Sequence, residues 1–247
     1  MKQTTIKLLS ALTLGAALAY TPVASAAVIY QDNFNRTGDL NGSTPTITTG
    51  GNTWSSANWT TNGTSATLAS GGWLGLLAFT PTVGSTYTLT ATLNPTFSAV
   101  GNSTEWFVLG FTDRSATDSW FAGNTTASAG YRINGETFAF NGPATGGSLG
   151  SFGTYTAFSP QTISVVLDAT DANSALWTTE VKVNGATMIS PTALGFTPTI
   201  NYVGIGSGGA GGFIDDFSLT VVPEPSTYAL VVGGIATLLL RRRRIQG

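Results

Sequence analysis

Carboxylates are the residues of this sequence best suited to acid–base chemistry. A glycoside hydrolase needs two carboxyl groups that face one sugar. Away from the chain ends, the candidates are isolated glutamates and two close aspartate pairs: Glu105, Glu136, Glu180, Asp113 with Asp118, and Asp168 with Asp171. Both pairs stand among Ser, Thr and Asn at the ends of predicted strands, where aspartates commonly cap turns. We therefore expect no catalytic residues, and an enzymatic role ranks third among the functions considered.

Histidine and cysteine are absent from the chain. Their absence excludes Ser-His and Cys-His nucleophile systems and the usual zinc sites. It also means that an exported form of this protein would be stabilised by its core rather than by disulfides. We expect no cofactor, apart from a structural calcium ion considered below.

Sugar binding calls for a different set of residues, an exposed aromatic ring with hydrogen-bonding side chains beside it. The stretch DRSATDSWF offers Asp118 and Trp120 in a polar loop, and Asn124 follows shortly after. These three residues form the predicted glycan-binding site. In the alternative interpretation, Trp120 and Phe121 begin a buried strand. Core positions are predicted for the remaining tryptophans: Trp54, Trp59, Trp73, Trp106 and Trp177.

Two further aspartates are predicted to point inward. Alternation in VIYQDNF places Asp32 with Tyr30 and Phe34, and alternation in FIDDFSLT places Asp215 with Phe217. A buried charge needs a partner, and the first and last strands of many β-sandwiches are neighbours. Asp32 and Asp215 are therefore candidate ligands for a shared Ca²⁺ or partners of Arg36. The other possibility is that a β-bulge, or a position at the strand ends, leaves both carboxylates in water.

The elements that must position these residues are β-strands. Apolar and polar residues alternate with a period of two in STYTLTATL, TISVVLDA and WTTEVKVNG, and Asn184-Gly185 is a typical hairpin turn. EWFVLGF is apolar throughout, which predicts a central strand covered on both faces. The pattern predicts an all-β fold, a single antiparallel β-sandwich from Ala27 to Val222.

The two ends of this domain resemble a known family. DNFNRTGDLNGSTPTITTGGNTW, residues 32–54, is similar to the first strand and loop of concanavalin A-like lectin/glucanase jelly rolls, with Asp-x-Phe-x-Arg, Leu-x-Gly-x-x-Pro and a Trp. FIDDFSLTVV, residues 213–222, is similar to their closing strand. The resemblance implies a jelly roll and assigns no activity, because this class includes lectins, hydrolases and inert spacers.

The first 26 residues are typical of a signal peptide. Lys2 and Lys7 precede an apolar run, and Ala24-Ser25-Ala26 provides the small-x-small pattern recognised by signal peptidase. We predict cleavage after Ala26 and export from the cell.

The last 25 residues, 223–247, have three parts. Pro223-Glu224-Pro225 prevents a strand or helix from continuing. Tyr228–Leu240 then predicts a short transmembrane helix of about 13 residues, which rises roughly 20 Å against a hydrocarbon core of about 30 Å. Arg241, Arg242, Arg243 and Arg244 follow and are expected to hold this end on the cytoplasmic side of the membrane.

These three parts, in this order, closely resemble the PEP-CTERM sorting signal of bacterial envelope proteins. The resemblance implies processing near Pro223-Glu224-Pro225 by an exosortase, a membrane-embedded transpeptidase-like enzyme, in a bacterium that secretes an exopolysaccharide matrix. The alternative is an ordinary tail anchor.

The net charge of the predicted mature chain limits the classes of partner that are expected. Residues 27–222 include four basic and eleven acidic residues, a net charge near −7. Nucleic acid is excluded as an expected partner because few cations remain to neutralise phosphates. The sequence thus predicts an exported protein of the cell envelope or matrix that binds glycans without catalysis. A purely structural surface or spacer protein is the alternative.

Overall fold

The computed structural model describes residues 25–95, 106–115, 117, 127–132, 137–141, 148–150, 159–208 and 212–224. The stretch Ala26–Val222 forms one compact unit. The predicted signal peptide up to Ala24, and the tail from Pro225 through the arginine cluster, lie outside the described residues. At the junction with that tail, Pro223 and Glu224 are exposed.

The described residues form seventeen strands and one short 3-10 turn. The strands are β1 Ala27–Asp32, β2 Thr37–Asp39, β3 Ile47–Thr48, β4 Ser55–Ser56, β5 Trp59–Asn62, β6 Ala66–Leu68, β7 Gly72–Ala78, β8 Ser85–Pro95, β9 Trp106–Thr112, β10 Ala127–Arg132, β11 Thr137–Asn141, β12 Ser148–Gly150, β13 Gln161–Ala169, β14 Thr178–Val183, β15 Ala186–Ala193, β16 Tyr202–Gly208 and β17 Gly212–Pro223. The 3-10 turn, Ser174–Leu176, precedes β14. Within this part of the chain, no helix has the length and apolar character needed to span a bilayer.

The strands form two antiparallel sheets. Sheet A has ten strands in the order β15-β14-β13-β8-β17-β6-β5-β2, with β1 pairing both β17 and β3. Sheet B has seven, in the order β12-β11-β10-β9-β16-β7-β4. Their inner faces contribute to one hydrophobic core. The predicted all-β sandwich is therefore confirmed.

Alternation along the central strands of sheet A is also confirmed. Leu89 and Leu93 on β8 are fully buried, as are Val165 and Leu167 on β13. The threonines and serines between them lie on the outer face and pair across strands, with 2.9 Å between the hydroxyl oxygens of Thr90 and Ser164. Apolar side chains fill the core while hydroxyls face solvent, as the period of two requires.

Strand β9 is buried on both faces, as predicted. Phe107 and its alternate neighbours face the main core, whereas Trp106 and Val108 join a second cluster with Leu74 and Leu76 on the outer face of sheet B. Glycines on the adjacent β16 make room for the indole ring, since an added Cβ at Gly208 would overlap Trp106.

The predicted hairpin joins β14 and β15. Asn184 and Gly185 have φ angles of 50° and 82°. Positive φ at both central residues is the signature of a type I′ turn, which matches the twist of antiparallel strands.

Strand β17 departs from the predicted alternation. Ile214, Phe217 and Leu219 are buried, so the inward-facing parity changes between Ile214 and Phe217. Asp216 takes a left-handed conformation, with φ 51°, and Asp215 is half-buried on the outer side instead of facing the core. The strand accommodates one extra residue between Ile214 and Phe217, as in a β-bulge. The inward placement predicted for Asp215 is wrong for this reason.

Candidate functional site

The glycan site predicted from sequence falls where the structure gives no description. Asp118, Trp120 and Asn124 all lie outside the described residues. The core prediction for tryptophan is confirmed at four positions, Trp54, Trp59, Trp106 and Trp177, which are at most 7% exposed. The side chain of Trp73 lies outside the description.

Asp32 is fully buried and has its partners within the protein. The guanidinium of Arg36 donates to both carboxylate oxygens, with Nη1–Oδ1 at 2.8 Å and Nη2–Oδ2 at 2.7 Å. Trp54 Nε1 donates to Oδ2 at 2.7 Å, and the Phe34 amide donates to Oδ1 at 3.0 Å. Of the partners considered for this carboxylate, the geometry matches Arg36.

The aromatic residues of the motif pack around this ion pair. Phe34 adopts φ 50°, an uncommon conformation for a bulky side chain, and its ring centroid lies 6.0 Å from that of Trp54. Trp54 in turn meets Phe217 of the last strand at 5.0 Å, edge to face. The Asp-x-Phe-x-Arg and Trp pattern is therefore a structural cluster that joins β1 to β17.

Calcium binding by Asp32 and Asp215 stays a prediction. Asp32 lies opposite Phe217 in the pairing of β1 with β17, two residues from Asp215. In the described part of the chain, no group of three or more His, Cys, Asp or Glu side chains is arranged to hold a metal ion.

A groove opens on the outer face of sheet A where four chain segments meet. They are the β5–β6 turn, the end of β8, the start of β13 and the start of β17. The groove has a volume of about 200 Å³. Its polar lining consists of Thr64, Ser65, Thr92, Asn94 and Asp215, with Pro160 and Phe213 providing apolar surface.

Two side chains of this groove lie in uncommon environments. Phe213 is 37% exposed and is the one aromatic residue among the exposed large hydrophobic side chains that the structure describes. Asn94 Oδ1 is buried yet has no hydrogen-bond partner among the described residues. A buried acceptor without a donor costs free energy, about 1–3 kcal/mol, and a ligand donor would recover it.

Asp215 supplies the charge of the groove. Its Oδ1 accepts a hydrogen bond from the Asp216 amide at 2.8 Å. Burial raises the pKa of this carboxyl above its ordinary value, and the charges of Asp216 and Asp32 add to the effect. No Lys or Arg of the described residues forms an ion pair with it.

Other carboxylates have structural partners. Asp168 accepts from the Thr170 amide at 3.0 Å, and Asp171 accepts from the Asn173 amide at 2.7 Å, the turn-capping geometry predicted for this pair. On the exposed β14–β15 hairpin, Glu180 lies 3.4 Å from Lys182 Nζ.

Sequence reasoning missed the groove because its residues come from distant segments. One local signal was available, the Asp215-Asp216 pair. Two adjacent charges within an otherwise alternating strand cannot both follow the alternation, which is typical of a bulge.

No protein-family model matches the chain, and neither does any curated protein. Among solved structures, endo-1,3-beta-glucanase from Streptomyces sioyaensis is similar with a TM-score of 0.55 and 13% identity, over 82% of this chain and 98% of that one. The carbohydrate recognition domain of Emp47p is similar with a TM-score of 0.50 and 12% identity, over 79% and 97% of the two chains. The domain thus has the concanavalin A-like lectin/glucanase jelly-roll fold that its first and last strands indicated.

Proposed function

We propose that this protein is an exported, non-catalytic glycan-binding protein of the bacterial cell surface or extracellular matrix. Signal peptidase and an exosortase would process its two ends, and a polysaccharide would be its partner. Before processing, the C-terminal helix would hold it in the membrane. The observation that carries the binding function is the groove on sheet A, where an exposed aromatic ring lies beside a carboxylate, an unpartnered amide oxygen and hydroxyl groups.

The fold is compatible with this function. An endo-1,3-beta-glucanase and a carbohydrate recognition domain both share it. The carboxylates of Asp168, Asp171 and Glu180 are engaged in turns and surface contacts, which supports binding without hydrolysis. Export and processing are supported by the signal-peptide pattern of residues 1–26 and by the three-part segment 223–247.

A glycan array on the unit 26–222 tests the proposal, run with and without Ca²⁺ and with exopolysaccharide from the host. Saturable binding that is lost on Phe213→Ala and retained on Trp120→Ala assigns binding to the groove. The reverse pattern moves the site to the loop predicted from sequence. A folded sample that binds no glycan contradicts the proposal, and release of reducing ends from a bound glycan contradicts its non-catalytic part.

A further inference from the structure

The groove on sheet A presents hydrogen-bond acceptors to its contents. Thr64 Oγ1 and Ser65 Oγ both donate to Asn62 Oδ1, at 3.1 Å and 3.3 Å. The same oxygen accepts the backbone amides of Thr64 and Ser65, both at 3.0 Å, so each hydroxyl can present either its proton or a lone pair to a ligand. Asn94 Oδ1 adds an unpartnered acceptor and Asp215 adds a carboxylate. A ligand that complements Asn94 Oδ1 and the Asp215 carboxylate must supply hydrogen-bond donors.

The charge of the groove and of the domain also favours a ligand that carries donors, and specifically a cation. None of the described lining residues carries a positive charge, and Asp215 is reinforced by Asp216, the next residue of the strand. The unit from 27 to 222 has a net charge near −7. An anionic ligand would be repelled both locally and at a distance, whereas a cation would be attracted.

The aromatic ring favours the same class of ligand. An ammonium group within about 6 Å of a ring centroid is attracted by the negative face of the ring, and the interaction strengthens as water is removed. The exposed Phe213 and the carboxylate of Asp215 both line the groove, so an ammonium ion there can meet a ring and a counter-charge together.

Size limits what fits. The groove measures about 200 Å³, below the roughly 300–1,000 Å³ of sites for drug-sized molecules. One monosaccharide unit of a chain matches this space better than several units.

We infer that the groove binds a de-N-acetylated amino sugar unit of a polysaccharide, with its ammonium group directed at Asp215 and Asn94 and its ring against Phe213. This inference rests on the proposed glycan-binding function. N-acetylated and uronate chains lack the cation that the lining selects.

Binding of three tetrasaccharides by calorimetry separates the two levels of the proposal. The probes are tetraglucosamine, its N-acetylated form and an oligouronate of equal length. We expect tetraglucosamine to bind at least tenfold more tightly than either alternative. Equal or preferential binding of the N-acetylated or uronate chain overturns the cation inference and leaves glycan binding intact. Silence with all three overturns the inference, and the proposed function falls with it only if the array is also silent.

Two variants test whether Asp215 is the carboxylate that binds the ammonium group of the sugar. Asp215→Asn is expected to lower tetraglucosamine affinity at least tenfold, whereas Asp171→Asn, which changes the net charge equally at the opposite end of β13, is expected to leave it unchanged. A merely structural role for Asp215 predicts the same loss for all three sugars together with lower stability. An equal loss of affinity in both variants shows non-specific attraction by the acidic surface and overturns the inference. Unchanged affinity in Asp215→Asn overturns it as well.

Discussion

Asp32 and Arg36 form a two-pronged ion pair at the end of the first strand, with Nη–Oδ distances of 2.8 Å and 2.7 Å. The carboxylate side chain is 0% exposed and that of Arg36 is 26% exposed, so the pair is closed to solvent on the acidic side. Parallel N–H···O bonds of this kind fix orientation as well as charge. Here they hold the loop after β1 against the core.

Replacing Asp32 tests this contact. Asp32→Asn leaves the Arg36 guanidinium without its counter-charge, and breaking a buried pair in this way costs about 3–5 kcal/mol. We expect a loss of about 3 kcal/mol in the free energy of unfolding, because partial exposure of Arg36 lets water solvate it. Urea unfolding of the unit 26–222 measures this change in the free energy of unfolding.

Asp39→Asn is the matched control. Asp39 is exposed and accepts from the Asn41 amide at 2.9 Å, a bond that asparagine can also accept. We expect its unfolding free energy to stay within about 0.5 kcal/mol of the wild type. Equal stability of the two variants would show that the ion pair makes no net contribution.

The glycines of β16 are predicted to be required by Trp106. Gly208→Ala places a methyl group in the space of the indole, and Gly206→Ala places one 2.7 Å from Leu74 Cδ2. Overpacking of this kind costs about 1–3 kcal/mol, which thermal unfolding of each variant would register. Combining Gly208→Ala with Trp106→Leu should cost less than the two separate losses added together. Full additivity would contradict the packing argument.

Asp215 is predicted to destabilise the fold at neutral pH. Its folded pKa lies above the ordinary 3.8, so on raising the pH the unfolded chain loses this proton first. Its contribution to stability is zero below about pH 3.8, falls as the pH rises toward the folded pKa, and stays unfavourable above it. Asp215→Asn should therefore be more stable than the wild type at pH 7, with the difference vanishing in acid.

Unfolding curves at several pH values, with Asp39→Asn as the reference, would measure this difference. A less stable Asp215→Asn variant at pH 7 would contradict the argument. Combined with weaker sugar binding, higher stability would mark Asp215 as a residue kept for its ligand at the expense of the fold.

The processing proposed for residues 223–247 can be tested by substitution. Glu224→Ala should block processing, because Glu224 is central to the motif and is exposed at the end of the described chain. The variant is expected to keep its C-terminal segment and stay with the membrane fraction, as judged by mass and fractionation in the native host. Ser226→Ala, just beyond the motif, should be processed normally. Normal processing of Glu224→Ala would contradict recognition through the Pro-Glu-Pro motif, and a wild-type chain that keeps its C-terminal segment would favour a plain tail anchor.

Local alternation was sufficient to predict much of the fold. Leu89 and Val165 are buried as their strands required, and Asn184-Gly185 forms the turn. The error in β17 arose because alternation assumes a regular strand, whereas the left-handed Asp216 inserts an extra residue. The groove was not predictable because Asn94 and Asp215 meet through the adjacency of β8 and β17, which no local pattern encodes.

The last of the described strands along the chain is a central one. β17 lies between β8 on one side and β1 and β6 on the other, and Val221 pairs with Ala27. Sheet A therefore stays open until nearly the whole domain has been synthesised, and the groove is incomplete for the same period. Open edges invite aggregation in an unfinished chain. For a domain proposed to be exported, however, the same arrangement means that sheet A cannot close before β17 has been synthesised.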